Sequence, residues 1–178
     1  TPTHEKNGTF PFEEWISLSN IAFRYPNSSD QVLRNLNLKI KKGQSIAFVG
    51  PSGAGKTTTV DLLLGLLDPQ RGEISVDGHP LGPKDGPYWR SKFGYVPQSI
   101  YLSDDNIRNN IAFGQLQNHI DEARVNAVVN QAQLADVIAQ LPQGLDTFVG
   151  DRGARLSGGQ RQRIGIARAL YRDPPILI

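Results

Sequence analysis

Eight consecutive residues constrain this chain more than anything else in it: Gly50-Pro51-Ser52-Gly53-Ala54-Gly55-Lys56-Thr57. They follow a short apolar run, Ser45-Ile46-Ala47-Phe48-Val49, which reads as a strand, and they open a segment with helical periodicity from about Lys56 to Leu67. Strand, glycine-rich loop and helix in that order make the context of the phosphate-binding loop G-x-x-x-x-G-K-[ST]. The residue types follow from the chemistry. Glycines let backbone N–H groups converge on phosphate oxygens, and the start of a helix adds roughly half a positive charge. Lys56 reaches the β- and γ-phosphates of a nucleotide, the Thr57 hydroxyl is a ligand for Mg²⁺, and Thr58 offers a further hydroxyl.

Length and composition narrow the setting. With 178 residues the chain is about one domain's worth, and 38% hydrophobic residues with Gly 18 and Pro 12 imply an ordered, loop-rich globule. The absence of cysteine excludes disulfides, zinc knuckles and thiol chemistry, which suits a reducing compartment such as the cytoplasm. Lys+Arg 19 against Asp+Glu 17 leaves a net charge of +2 with no polybasic tract, so charge points to no polyanionic partner. Apolar runs such as Leu62-Leu63-Leu64 are far shorter than the roughly 20 residues needed to span a bilayer. Thr1 to Thr9 shows neither signal-peptide regions nor an initiating Met, so the expectation is a segment of a larger protein.

Along the chain, residues 1–14 read as a linker. From Trp15, apolar positions alternate at Ile16 and Leu18, then Ile21 and Phe23; after a turn at Pro26-Asn27-Ser28-Ser29 they resume at Leu36, Leu38 and Ile40. That pattern predicts two half-buried antiparallel strands. Further strands are expected at Glu73–Val76, ending in the Asp77-Gly78 turn, and at Phe93–Val96, ending at Pro97-Gln98. Beyond Gln98 the pattern turns helical, near Asn106–Phe113, Asp121–Ala132 and Gly158–Tyr171, with Leu141–Arg155 as a loop. The last run, Ile176-Leu177-Ile178, reads as a buried strand, and Leu62, Leu63, Leu66 and Leu67 as core. The organisation is an α/β core with a helical insert.

The second chemical signal is Leu156-Ser157-Gly158-Gly159-Gln160. Ser157 stands where it can N-cap the helix running to Tyr171, and two glycines expose N–H groups at the positive helix end. This is another place for a phosphate to dock.

A phosphate loop followed about a hundred residues later by Leu-Ser-Gly-Gly-Gln resembles the nucleotide-binding domain of an ABC (ATP-binding cassette) transporter, from Ile16 to Ile178. The resemblance implies a P-loop NTPase core of mixed sheet and helices, with an antiparallel β subdomain and an α-helical subdomain at about 99–170, residues 15–178 forming the ATP-binding domain. It implies ATP and Mg²⁺ as cofactors. Tyr25 falls where the family stacks an aromatic ring on adenine, and Gln98 matches the glutamine that touches Mg²⁺ and relays its state to the membrane part. Asn106–Gly114 and Leu141–Gly153 resemble segments of exporter-type cassettes. There, Thr147–Gly153 would face the cytoplasmic loops of a membrane domain, with Asp151 standing where Glu is common.

Since a P-loop holds a triphosphate from one side and Ser157 belongs to a separate helical region, a second copy is expected to supply the signature loop. The expected assembly is a head-to-tail dimer, each ATP lying between Lys56 of one subunit and Ser157–Gly159 of the other. The partner beyond it is a transmembrane domain, at the cytoplasmic face of a bacterial inner membrane. The family places an Asp, a general-base Glu and a switch His after the strand that starts at Ile176, so the chain as given is expected to be hydrolytically crippled and turnover to belong to the full-length protein. The alternative is a soluble ABC-type ATPase acting on nucleic acid or ribosomes. A P-loop kinase would have no reason to carry the second motif.

Other features carry less. Arg161, Arg163, Arg168 and Arg172 lack interleaved aromatics and read as a solvated, partly packed helix face, so no nucleic acid is expected. His4, His79 and His119 have no second ligand at metal spacing. Asn7-Gly8-Thr9 and Asn27-Ser28-Ser29 match the glycosylation pattern, which a cytoplasmic ATPase would never use.

Overall fold

The computed structural model describes residues 12–26 and 28–178, so most of the linker, His4, and the Asn of both glycosylation matches lie outside the described residues. It divides into two units, residues 1–91 and 92–178, each considered by itself.

The first unit is built on the alternating segments. Trp15–Phe23 (β1) pairs antiparallel with Leu33–Lys41 (β2), Ile16 opposite Ile40 and Leu18 opposite Leu38. On its other edge β1 meets Arg71–Val76 (β3), which turns back into His79–Pro80 (β4), giving the order β2-β1-β3-β4. Ile16 and Leu18 are buried, then the phase shifts so that Ile21, Ala22 and Phe23 are all buried. The shift coincides with Asn20 at φ 53° and with irregular register on both edges of the strand. Gly72 explains how the backbones fit there. At φ +88° a Cβ on it would sit 2.3 Å from the Ser19 carbonyl oxygen and 2.5 Å from that of Asn20. Only glycine allows that approach.

Asp77, at φ 49°, and Gly78, at φ 82°, turn β3 into β4. The Asp77 carboxylate also accepts the N–H groups of Glu13 (2.6 Å), Glu14 (2.9 Å) and Trp15 (2.6 Å), tying the start of β1 to the turn. Burial opposes ionisation, but these three donors outweigh it and hold the carboxyl below its usual range.

Lys56–Leu63 (α1) packs Leu62 and Leu63 into the core. It is shorter than the periodicity suggests. Gly65 takes φ +64°, the Gly65 N–H bonds the Leu62 carbonyl and the Leu66 N–H bonds that of Asp61, a Schellman ending that stops the helix. The expected core assignment of Leu66 is therefore overturned: it is 56% exposed, and Leu64 is buried instead. A short helix at Gly86–Arg90 (α2), missed by the periodicity, buries Trp89, whose indole N–H donates to the Leu63 carbonyl at 2.7 Å. The expected strand at Ser45–Val49 is also corrected. It has no ladder partner among the described residues, and Val49 is 94% exposed. An apolar run becomes a strand only with a neighbour to receive its backbone groups.

In the second unit, Phe93–Gly94 (β5) lies parallel to Ile176–Leu177 (β6), and the Val96 N–H extends the pairing to the Ile178 carbonyl. Between them run Ile107–Ile111 (α3), Glu122–Gln131 (α4), Ala135–Ala139 (α5) and Gly158–Tyr171 (α6). Asn106 caps α3 through the Asn109 N–H and Asp121 caps α4 through that of Arg124. Ile107, Ile111, Val125, Val128, Leu134 and Ile164 form the centre of one apolar cluster. Arg108 joins α3 to Asp146 at 3.0 Å and also to Glu122 on α4. Hydrogen bonding to Arg108 holds the Asp146 carboxyl below its usual range. The expected loop Leu141–Arg155 contains two single turns, at Gly144–Asp146 and Asp151–Gly153. No helix among the described residues is long and apolar enough to cross a membrane.

Two outcomes follow from the first unit. Gly72→Ala should cost about 1–3 kcal/mol for backbone conformation alone and more for the clash, so its urea midpoint should fall well below that of Gly78→Ala, where a Cβ meets nothing within 4 Å. Asp77→Asn should destabilise the protein at neutral pH. Because the native pKa is depressed, the wild-type advantage is full above the unfolded carboxylate value and disappears as pH falls through the native one, as thermal melts of both proteins between pH 7 and pH ~2 should show.

Candidate functional site

The first candidate site is the turn into α1. Gly55 adopts φ +84°, and a Cβ there would lie 2.7 Å from Leu33 Cδ2, so both conformation and crowding require glycine. Gly53, at φ +80°, faces open space, and Gly50 lies close to Ala54. Lys56 Nζ donates to the carbonyls of Gly50 at 2.8 Å and Pro51 at 2.7 Å, which holds the ammonium across the loop Pro51–Ala54. Pro51, Ser52, Gly53 and Ala54 are exposed. Thr59 returns its hydroxyl to the Gly55 carbonyl at 2.9 Å, fixing the first turn.

Tyr25 belongs to the same locality. Its hydroxyl is 3.1 Å from Thr58 Oγ1, and its ring meets Phe23 edge-on, centroids 5.0 Å apart, while 40% of the residue stays exposed. Thr58 is thus buried and engaged with Tyr25, whereas the neighbouring Thr57 is exposed. An exposed hydroxyl oxygen on the first turn suits Mg²⁺, a hard cation that takes oxygen ligands.

The second site is the start of α6. Ser157 is its N-cap: Oγ accepts the Gln160 N–H at 3.2 Å and the Ser157 N–H donates to Gln160 Oε1 at 2.8 Å, a capping box. The cap uses only a lone pair of Oγ, so the capping box does not consume the hydroxyl donor. Leu156 anchors the loop in the core. Gly158 and Gly159 are exposed and have no positive φ; a Cβ on Gly159 would meet nothing within 4 Å, and one on Gly158 only Arg161 at 3.9 Å. Neither packing nor conformation within the protein explains two glycines here. At a helix start they leave room beside the first-turn N–H donors.

Gln98 lies in the same unit as α6, exposed and just after β5, with a side-chain oxygen of the kind Mg²⁺ accepts. The arginines expected on a solvated face are more engaged than the sequence suggested. Arg161 donates to the carbonyls of Gly153 and Leu156, Arg163 to that of Gln133, and Arg168 to those of Asn110 and Tyr101. Sequence reasoning also passed over Asn110, which is fully buried; its place beside Ile111, three residues after Ile107, was the only signal available.

A glycine-turned loop with its lysine and a capped, glycine-opened helix start define a P-loop nucleotide-binding protein. The ABC transporter family model matches residues 33–178, and the chain belongs to that family. It is 47% identical, over 99% of its length, to an ATP-dependent lipid A-core flippase of Alkalilimnicola ehrlichii, and 42% identical over 92% to the protein so named in Escherichia coli. It is 44% identical over 92% to ATP-binding cassette sub-family B member 5 of Mus musculus. The chain spans 30%, 28% and 13% of those proteins. Among solved structures, a bacterial Atm1-family ABC exporter with ATP bound matches with a TM-score of 0.86 and 38% identity, over 99% of this chain and 30% of that one.

Lys56→Ala should weaken MgATP binding at least ten-fold while leaving the circular dichroism spectrum unchanged. A fluorescent-nucleotide titration measures it.

Proposed function

We propose that this chain is the ATP-driven domain of an exporter. MgATP binds between the Lys56 loop of one copy and the Ser157–Gly159 loop of a second, and hydrolysis in the full-length protein powers transmembrane export. The observation that carries the reading is the pair Gly158-Gly159, which lie open at a capped helix start where nothing internal requires glycine.

In this assembly Gly50 to Thr57 wrap the phosphates, Thr58 fixes the loop to Tyr25, and the exposed part of the Tyr25 ring receives the base. Thr57 and Gln98 each offer a side-chain oxygen that would suit Mg²⁺, which would offset phosphate charge. Leu156 to Gln160 close on the nucleotide held by the partner copy. Closure on ATP and opening after hydrolysis turn phosphate chemistry into domain motion. The membrane domain, on the same polypeptide, receives it through Thr147–Gly153 at the cytoplasmic face of a bacterial inner membrane. The flippase relatives and the exporter structure support this reading over a soluble ATPase acting on nucleic acid or ribosomes.

Ser157→Arg places a bulky cation in the interface without touching the Lys56 loop. The variant should bind MgATP with near wild-type affinity yet fail to dimerise on adding it, as read by light scattering. Unchanged ATP-dependent dimerisation would sink the sandwich.

A further inference from the structure

We propose that Arg168 is a positioning residue that locks the segment following Gln98 onto α6, so that the Gln98 loop and the Ser157 end of the helix move as one body. The inference rests on the function proposed above.

Positions 157, 161, 165 and 168 recur at spacings of four, four and three, so they share one face of α6. Below Ser157, Arg161 holds the Gly153 and Leu156 carbonyls at 3.3 and 2.7 Å. One turn further, Gly165 packs against Ile100, where an added Cβ would stand 2.6 Å from Cδ1 and 3.0 Å from Cγ1. At the next turn Arg168 reaches three acceptors. Its Nη1 donates to the Tyr101 carbonyl at 2.7 Å, its Nε to the Asn110 carbonyl at 2.8 Å, and its Nη2 to Asn110 Oδ1 at 2.9 Å. Phe113 backs the guanidinium, 4.9 Å from its centre to the ring.

Asn110 completes the lock. It is fully buried, and its Oδ1 also accepts the Ser103 N–H at 3.0 Å and lies 3.1 Å from the Ser103 hydroxyl, which donates to it. Its Nδ2 donates to the Ser103 and Asn106 carbonyls. Residues 100–103 are thereby held through Ile100, Tyr101, Leu102, which is fully buried, and Ser103. Only one residue separates Gln98 from Ile100, which leaves few free torsions to absorb a displacement. A displacement of the Gln98 loop would therefore be carried to α6, and with it to the serine offered to the other copy's nucleotide. Lysine at 168 would bring three donors on a single nitrogen but not the planar fork that spans these acceptors.

The test uses the full-length transporter in nanodiscs with MgATP, turnover being normalised to nucleotide sites titrated with a fluorescent ATP analogue. Arg168→Ala should keep nucleotide affinity within about three-fold of wild type and lower kcat per titrated site by ten-fold or more; Arg168→Lys should fall between. Gly165→Ala, which pushes on Ile100, should also lower kcat, and Gly165→Ala with Ile100→Ala should recover it above the single variant. A merely structural role predicts something else: fewer titratable sites, each turning over at the wild-type rate. That result, or no recovery in the double variant, overturns the proposal. A wild-type transporter that binds no MgATP and has no turnover would instead overturn the function on which it rests.

Discussion

A helix leaves its first N–H groups without partners inside itself, and both sites of this protein are made from what those groups do next. Before α1 the chain turns through Gly55 in the left-handed region, pressed against Leu33, and Lys56 lies across the loop. Before α6 the capping box consumes the Gln160 and Ser157 donors, while Ser157, Gly158 and Gly159 stay exposed. Packing fixes the direction of each helix start; the leftover donors fix its chemistry.

The same economy shows in the sheet. The passage of Gly72 beneath the Ser19 and Asn20 carbonyls lets β1 change phase without losing either neighbour. It puts Ile21, Ala22 and Phe23 together under cover, and Phe23 is the ring against which Tyr25 stands. A backbone approach on one edge of the strand thus sets where an aromatic side chain emerges beside the first turn of α1.

The turn into α1 and the start of α6 were legible in the sequence because glycine and serine patterns mark such helix starts. Helix α6 was legible from its cap to Tyr171, since serine, glutamine and an uninterrupted run agree along it. Helix α1 was overread because Leu66 and Leu67 continue the apolar spacing, while Gly65 takes a conformation that no periodicity reports. Ser45–Val49 carries strand composition, but ladder formation depends on another segment of backbone. The five-residue helices α2 and α5 are too short to establish a period. Least legible were the arginines of α6: Arg163 and Arg168 find carbonyls 30 and 67 residues distant in the sequence, and only folding reveals those acceptors.

That last arrangement alters how the basic character of the chain should be understood. Three guanidinium groups along α6 donate to main-chain oxygens, and burial lowers the pKa of Arg168. They work as mortar between neighbouring segments, Arg161 and Arg168 from half-buried positions and Arg163 from an exposed one. The basic residues of this helix therefore serve first as joints between stretches of backbone far apart in the sequence.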